Sequence, residues 1–349
     1  MSIFEPLWRL VTDDIAIDLG TSNTKMAIRG RGDVITEPTV VALDSKSGEI
    51  VAVGKSAKKM LGRTPPGIVA VRPLRNGIVS DFETTRDMIQ YFIELATRAS
   101  THFLKIPRPR VVIGVPLLAS EVGREAIRDA AKNAGARICY IIEEPRLAAI
   151  GAGLPVTEAV GSMIVDIGGG TSDIAIISLG GIVVDKTIPI AGDEMDAEIV
   201  KYLKYKYNIL TGERIAEDIK IKIGSAYPVK QDSTYEVRGR DTVQGIPKTM
   251  EISSIEVREA LHVPLNLIAS SIIEALEEAP PEILSDIAER GICLAGGGSL
   301  LPGIKEYFEE RVKMNFYVAD EPMLAVLKGA KAVLEDLDLL TKLKVGESE

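Results

Sequence analysis

Asp166-Ile167-Gly168-Gly169-Gly170-Thr171 and its counterpart Asp18-Leu19-Gly20-Thr21-Ser22-Asn23 decide the fold of this chain. Each follows a β-branched apolar run, Met163-Ile164-Val165 and Ile15-Ala16-Ile17. Each also leads into another, Ile174-Ala175-Ile176-Ile177 and Met26-Ala27-Ile28. The pattern is a hairpin whose turn combines an acid, glycines and small hydroxyl residues. Glycines let backbone N–H groups converge on an anion with no Cβ in the way, and Ser and Thr hydroxyls add donors. A carboxylate at the end of the first strand repels phosphate, but it can hold the water shell of a Mg2+ that phosphates bind. Two such hairpins in different halves of one chain point to a duplicated phosphate clamp.

Outward from the first hairpin, strand-like runs at 40–43 and 50–53 precede a helical stretch at 55–61 and a loop at 72–77. Asp81 is placed to cap a long amphipathic helix, because Met88, Ile89, Phe92 and Ile93 keep a helical period. Val111-Val112-Ile113-Gly114-Val115 reads as a buried parallel strand ended by Pro116. A helix over 120–134 closed by Gly135, a strand over 138–142, Glu143-Glu144-Pro145 and a helix rich in small residues at 147–153 follow. The second half repeats the scheme. After its hairpin come a strand over 182–190, helices at 195–207 and 215–223, and a more polar strand region at 235–252. Helices over 254–278 and 282–289 and a strand over 291–295 complete it. Strands alternating with helices predict α/β layers, and the two strand-turn-strand starts predict internal duplication. The two halves are expected to share one rigid body with a cleft between them.

The 349 residues allow one large domain or two ordinary ones, and 46% hydrophobic with 26% charged residues suits a chain that buries a core. Forty-one basic against 50 acidic residues leave a net charge of −9, which argues against nucleic acid as a primary ligand. Cys139 and Cys293 lie in apolar runs and read as buried thiols of a reducing cytoplasm. His102 and His262 form no zinc spacing. No apolar segment is long enough to span a bilayer, and no signal peptide with a cleavage site is evident.

The N-terminus carries the single Trp of the chain. Phe4, Leu7, Trp8 and Val11 recur at helical spacing, which suits either a segment packed on its own domain or an interfacial membrane anchor. Phe103 and Leu104, in an expected loop, allow the same two readings: local packing or a second membrane contact.

A third glycine cluster, Leu294-Ala295-Gly296-Gly297-Gly298-Ser299, sits between a buried strand and an expected helix from Pro302 or Ile304. With the two hairpins in this order, the chain resembles the actin, Hsp70 and sugar-kinase superfamily, and within it the bacterial actins of the MreB type. Segments beyond the glycine turns single out that branch. They are Glu37-Pro38-Thr39-Val40-Val41-Ala42, Met60-Leu61-Gly62-Arg63-Thr64-Pro65, Arg72-Pro73-Leu74-Arg75-Asn76-Gly77, Glu144-Pro145 with the small-residue run after it, and Pro280-Pro281-Glu282.

The resemblance implies an α/β actin-like ATPase fold: two duplicated ribonuclease-H-like domains, each with a smaller subdomain, around a nucleotide cleft. It implies subdomain IA at 1–33, 75–146 and 322–349, IB at 34–74, IIA at 147–184 and 252–321, and IIB at 185–251. ATP or ADP with Mg2+ would be the cofactors. Gly20, Thr21, Ser22 and Asn23 would face the phosphates from one side, and Gly168, Gly169, Gly170 and Thr171 from the other. Asp18 and Asp166 would order the hydrated Mg2+. Glu217, Asp218, Ile219 and Lys220 would reach ribose and adenine, with Gly296, Gly297, Gly298, Ser299 and Leu300 closing on the base. Glu144, at the end of a strand, and Thr171 would position the attacking water for slow hydrolysis, a task of positioning and electrostatics. On the residues alone, Glu144 also suits an acid interacting with a helix dipole. Arg146 departs from the apolar residue expected after Glu-Pro, which bears on turnover.

By the same resemblance the chain would polymerise with itself, as paired protofilaments, on the inner face of the cell membrane. There it would guide wall-elongation membrane proteins such as MreC and RodZ and maintain rod shape. Plasmid-segregating or organelle-aligning actins are the nearest alternative. A sugar or acetate kinase needs an acceptor site, for which no candidate beyond Glu144 stands out. A chaperone of the Hsp70 kind needs a peptide-binding domain after the nucleotide domain. A Rossmann oxidoreductase needs a glycine turn opening a helix, whereas these turns join strand to strand.

Overall fold

The computed structural model describes residues 13–75, 78–98 and 108–343. Phe4, Leu7, Trp8, Phe103 and Leu104 lie outside the described residues. The chain divides into two compact units. The first runs up to Ala159 and includes Ser178–Gly181 and the residues from Leu324; the second comprises Val160–Ile177 and Ile182–Met323.

Each unit is built on one five-stranded sheet. In the first, β1 (Ile15–Leu19), β2 (Asn23–Ile28), β3 (Val34–Pro38), β4 (Arg110–Val115) and β5 (Ile138–Glu143) take the spatial order β5-β4-β1-β2-β3. In the second, β6 (Ser162–Ile167), β7 (Ser172–Ser178), β8 (Gly181–Ile188), β9 (Ile292–Ala295) and β10 (Phe316–Val318) take the order β8-β7-β6-β9-β10. Counted within its own unit, each sheet is 3-2-1-4-5, which is the duplication the two glycine hairpins predict. The hairpins β1–β2 and β6–β7 are antiparallel, while β4 and β5, and β9 and β10, continue their sheets in parallel. Every residue of β4 and β6 is buried, as strands covered on both faces require.

The first unit inserts a three-stranded antiparallel sheet, Val41–Asp44 flanked by Ile50–Val53 and Ile68–Val71. The second inserts Ile209–Leu210, Thr234–Asp241 and Pro247–Ser253. The polar region at 235–252 is therefore two strands. The Asp241 side chain accepts from the Val243 and Gln244 N–H groups and reverses the chain between them.

Local signals place the helices. Asp81 accepts the Thr84 N–H at 3.1 Å, and Met88, Ile89, Phe92 and Ile93 of helix Phe82–Arg98 face the core. A capping box of Ser253 and Glu256 opens helix Ser254–Glu278. The expected helix at 55–61 closes after Lys55–Lys58. The small-residue helix spans Glu144–Gly151, so it starts three residues earlier than its composition suggests. Its small residues allow a backbone-to-backbone crossing with helix Ala325–Glu335. A Cβ on Gly151 would lie 1.8 Å from the Ala325 carbonyl oxygen, and one on Gly329 would lie 1.9 Å from that of Leu147. Among the described residues no helix is long and apolar enough to cross a membrane.

A buried ion pair locks β1 to β4. Asp14 Oδ1 accepts the Arg110 backbone N–H at 3.0 Å, and Oδ2 takes Nε at 3.1 Å and also Nη2. Arg110 is 1% exposed and Asp14 4%. Removing one partner of such a pair costs about 3–5 kcal/mol, because a charge stays buried. Asp14→Ala is expected to lose about that much in a urea titration. A loss under about 1 kcal/mol, the value of an exposed pair, would show that the arginine escapes to water.

Candidate functional site

In the first unit the parallel strands β1, β4 and β5 end on one edge. Asp18 pairs in register with Gly114, Gly114 pairs with Ile142, and the chain then turns into helix Glu144–Gly151. Carboxyl ends of parallel strands are where such sheets receive ligands. Glu144 is therefore the first residue of a helix, with Pro145 behind it; it does not end the strand, which stops at Glu143. Its carboxylate lies in the first turn of the helix. It is buried, and its Cγ is 3.5 Å from where a Gly114 side chain would begin. Arg146 makes two contacts. Its Nη1 donates to the Leu343 carbonyl at 2.8 Å, and its Nε faces Glu143 at 3.6 Å. That ties the helix start to the C-terminal segment and explains a charged residue at an apolar position.

The turn that joins β1 to β2 is held by a residue the sequence assigned no role. Thr39, fully buried, donates its hydroxyl to the Gly20 carbonyl at 2.7 Å and its N–H to the Ser22 carbonyl at 3.1 Å. In a planar trans peptide the C=O and the next N–H point in opposite directions. Drawing the Gly20 carbonyl toward Thr39 therefore turns the Thr21 N–H the other way. Across the hairpin Asp18 meets its register partner Lys25, with Nζ 2.8 Å from Oδ2. Thr21 is buried, and Ser22 and Asn23 are half-buried.

The second unit shows the same device. Gly168 closes its turn by donating to the Thr171 carbonyl at 2.9 Å. The first two N–H groups of helix Gly192–Tyr207 then take the turn's carbonyls, Gly192 to Gly168 at 3.2 Å and Asp193 to Gly169 at 2.7 Å. Peptide planarity sends the Gly169 and Gly170 N–H groups away from the helix, side by side, as an anion site requires. Asp166, the last but one residue of β6, lies opposite Ala295 of β9.

The third glycine cluster comes down on this edge as a 3-10 turn, Gly297–Leu300, after Gly296 at φ +77°. A Cβ on Gly296 would lie 2.3 Å from both Asp166 Oδ1 and the Ile167 carbonyl oxygen, so only glycine lets the turn lie there. Ser299 is buried, its hydroxyl on the Gly296 carbonyl at 2.7 Å, while Leu300 is exposed.

Of the four residues expected at ribose and adenine, Glu217 and Asp218 are half-buried on helix Glu213–Ile223, and Ile219 packs into the core of the unit. The helical period turns the Ile219 side chain inward. Lys220 Nζ donates to the Gly192 carbonyl at 2.7 Å and pairs with Asp196 at 2.8 Å. Burial pushes the Asp196 carboxyl up to about 7 against the pull of Lys220, and the charges of Glu217 and Asp193 add to the rise.

Thr171 has a buried partner that the sequence did not single out. Asp173 Oδ2 accepts the Thr171 hydroxyl at 3.0 Å, and Oδ1 accepts that of Thr187 at 2.6 Å. Burial raises its pKa from 3.8 to about 6, the two hydroxyls pulling it partly back. The folded protein thus holds this proton more tightly than the unfolded chain does. Stability from this group is full below pH 4, falls as pH rises toward 6 and stays level above. Asp173→Asn is expected to be more stable than the parent at pH 7.5, by on the order of 1–3 kcal/mol. Near pH 4 the two should melt alike; an equal difference at both values would show that Asp173 is charged throughout.

Both edges fit a hydrated Mg2+ and a polyphosphate in kind: one carboxylate at each first strand, and backbone N–H groups aimed by tethered carbonyls. The family model of the MreB/Mbl protein matches residues 12–342. The chain is 46% identical over 334 residues to the cell shape-determining protein MreB of Escherichia coli K12, covering 95% of each. It is 44% identical to the cell shape-determining protein Mbl of Bacillus subtilis 168, covering 95% of this chain and 98% of that protein. Among solved structures, MreB5 of Spiroplasma citri bound to ADP superposes with a TM-score of 0.87 at 36% identity, over 94% of this chain and 98% of that one. Its AMPPNP-bound form gives 0.87 at 35%, over 95% and 99%. The MamK double helical filament shares the fold, with a TM-score of 0.77 at 23% identity over 93% and 99%.

Proposed function

Since the chain belongs to the MreB/Mbl family, with the α/β fold of the actins, we propose that it is an ATP-dependent bacterial actin. It assembles into filaments on the inner face of the cell membrane that organise wall synthesis and maintain rod shape. The observation that carries the nucleotide part is the second turn, whose carbonyls are both held from behind so that the Gly169 and Gly170 N–H groups face outward. The binding of ADP and AMPPNP by MreB5 supports the same reading.

In this proposal Gly20, Thr21, Ser22 and Asn23 bind the phosphates, as do Gly168, Gly169, Gly170 and Thr171. Asp18 and Asp166 hold the water shell of Mg2+, which when bound neutralises charge that builds up on the phosphates. Lys25 already balances Asp18, so a metal there shares that carboxylate with an ammonium. The stretch Glu217, Asp218, Ile219 and Lys220 serves the ribose and adenine, and the turn from Gly296 to Leu300 closes on the base. Glu144 orients the attacking water and accepts its proton, with the Thr171 hydroxyl helping to position it. Hydrolysis then times assembly, with no acceptor to phosphorylate.

The division into subdomains IA, IB, IIA and IIB belongs to this proposal. So does membrane contact through Phe4, Leu7 and Trp8 and through Phe103 and Leu104. Weak apolar contacts repeated along a filament bind a surface far better than one alone. Sedimentation with and without Mg-ATP, followed by electron microscopy on a lipid monolayer, tests the whole reading. Filaments that require nucleotide and lie on the lipid are expected. Protein that stays monomeric with both present overturns it.

A further inference from the structure

We propose that Thr39 is a positioning residue for the first phosphate turn, and that through it this turn is coupled to the inserted three-stranded sheet of the first unit. The inference rests on the nucleotide reading above and concerns how one of its turns is held.

Thr39 spends both of its donors on the turn, the hydroxyl on the Gly20 carbonyl at 2.7 Å and the N–H on the Ser22 carbonyl at 3.1 Å. The Thr24 hydroxyl lies 3.0 Å from that of Thr39, and both residues are fully buried. A hydroxyl carries one hydrogen and a carbonyl oxygen carries none. The Thr39 hydrogen is therefore taken by Gly20, and Thr24 must be the donor to Thr39. The result is a directed relay from Thr24 to Thr39 to Gly20, in which each bond polarises the next. It fixes the Gly20 carbonyl and, with it, the opposed Thr21 N–H of the same peptide.

The inserted sheet holds Thr39 from both flanks. The Val40 N–H closes on the Pro38 carbonyl at 2.9 Å, a three-residue turn with Thr39 at its apex. After the apex, the Val40 carbonyl accepts the Gly54 N–H at 2.9 Å, and Val40 packs with Ala42 and Ala57. Before it, the Glu37 carboxylate accepts the Lys55 N–H at 2.8 Å and meets Lys55 Nζ at 3.2 Å. Gly54 and Lys55 directly follow strand Ile50–Val53 of the inserted sheet. Coupling between two sites is reciprocal, so an anion that steadies the turn must also steady Gly54.

The test uses the full chain, with Mg-ATP binding measured by calorimetry and hydrogen exchange read at the Gly54 amide. Thr39→Val keeps the shape and removes the hydroxyl. Its Kd for Mg-ATP is expected to rise about tenfold. Saturating Mg-ATP should slow Gly54 exchange in the parent and far less in this variant, and Thr39→Ser should restore both properties. Thr24→Val should weaken binding about twofold to threefold, and add nothing in the Thr39→Val background, because Thr24 acts only through Thr39. Parental affinity in folded Thr39→Val, or equal ATP protection of Gly54, overturns the proposal. So does a Thr24→Val loss that persists without the Thr39 hydroxyl. If Thr39→Val does not fold, Thr24→Val decides alone: parental affinity and parental Gly54 protection overturn the relay. A parent that does not bind ATP refutes the nucleotide reading and this inference with it; a parent that binds while Thr39→Val binds equally refutes the inference alone.

Discussion

Glu144→Ala is expected to bind ATP with near-parental affinity and to release phosphate about 10²–10⁴-fold more slowly, the range over which a positioned acid–base group acts. Glu144 is at the first position of helix Glu144–Gly151, buried beside the end of β4, on the edge near which Asp18 lies one residue before the end of β1. Pro145 restricts the helix start and so fixes where the carboxylate is presented. A carboxylate so placed can accept a proton from water without moving. Single-turnover phosphate release is expected to collapse while the variant stays folded, which a thermal melt checks. Unchanged release would take Glu144 out of the mechanism and leave it as an acid at a helix start.

Gly296→Ala should have the largest effect on binding. The residue sits at φ +77° and ψ 171°, a region essentially restricted to glycine, where a side chain costs about 1–3 kcal/mol. Its Cβ would also land 2.3 Å from Asp166 Oδ1 and from the Ile167 carbonyl. Relieving those contacts requires the 3-10 turn to lift or the end of β6 to shift, at about 1–3 kcal/mol for overpacking. Either movement displaces the carboxylate proposed for Mg2+ or the surface proposed for the base. Roughly 100-fold weaker nucleotide binding, or more, is expected by equilibrium titration. The neighbouring Gly297→Ala is the control, because a Cβ there meets nothing nearer than Met323 Cγ at 4.0 Å. Equal losses in both variants would mean that the cluster matters for its flexibility and not for this one close approach.

These predictions draw on different depths of legibility. The caps at Asp81 and Ser253, the span of helix Ser254–Glu278 and the two hairpins could be read directly, because each depends on residues a few positions apart. Glu144 was legible as a candidate but not in its place, since Glu-Glu-Pro continues a strand pattern as readily as it opens a helix. The Thr39 staple, the Asp173–Thr187 bond and the Asp14–Arg110 pair carry no local signal. Their partners lie 19, 14 and 96 residues apart, and an isolated Thr or Asp looks the same whether exposed or buried. Lys220 was legible as a site residue from the order of its motif, but its bond to Gly192 was not, because that partner lies 28 residues upstream.

By itself the sequence determined that this chain makes two acid-glycine-hydroxyl turns, each between two apolar strands, and that its architecture is duplicated. Those features follow from backbone freedom at glycine and from alternating burial, which act within a few residues. Only the tertiary structure decided which way the peptide groups in the turns face. A turn's N–H groups point outward because something distant holds its carbonyls: Thr39 in the first unit, and the helix at Gly192 with Lys220 behind it in the second. Peptide planarity couples the two ends of each group, so the chemistry of a turn is set by what packs on its far side.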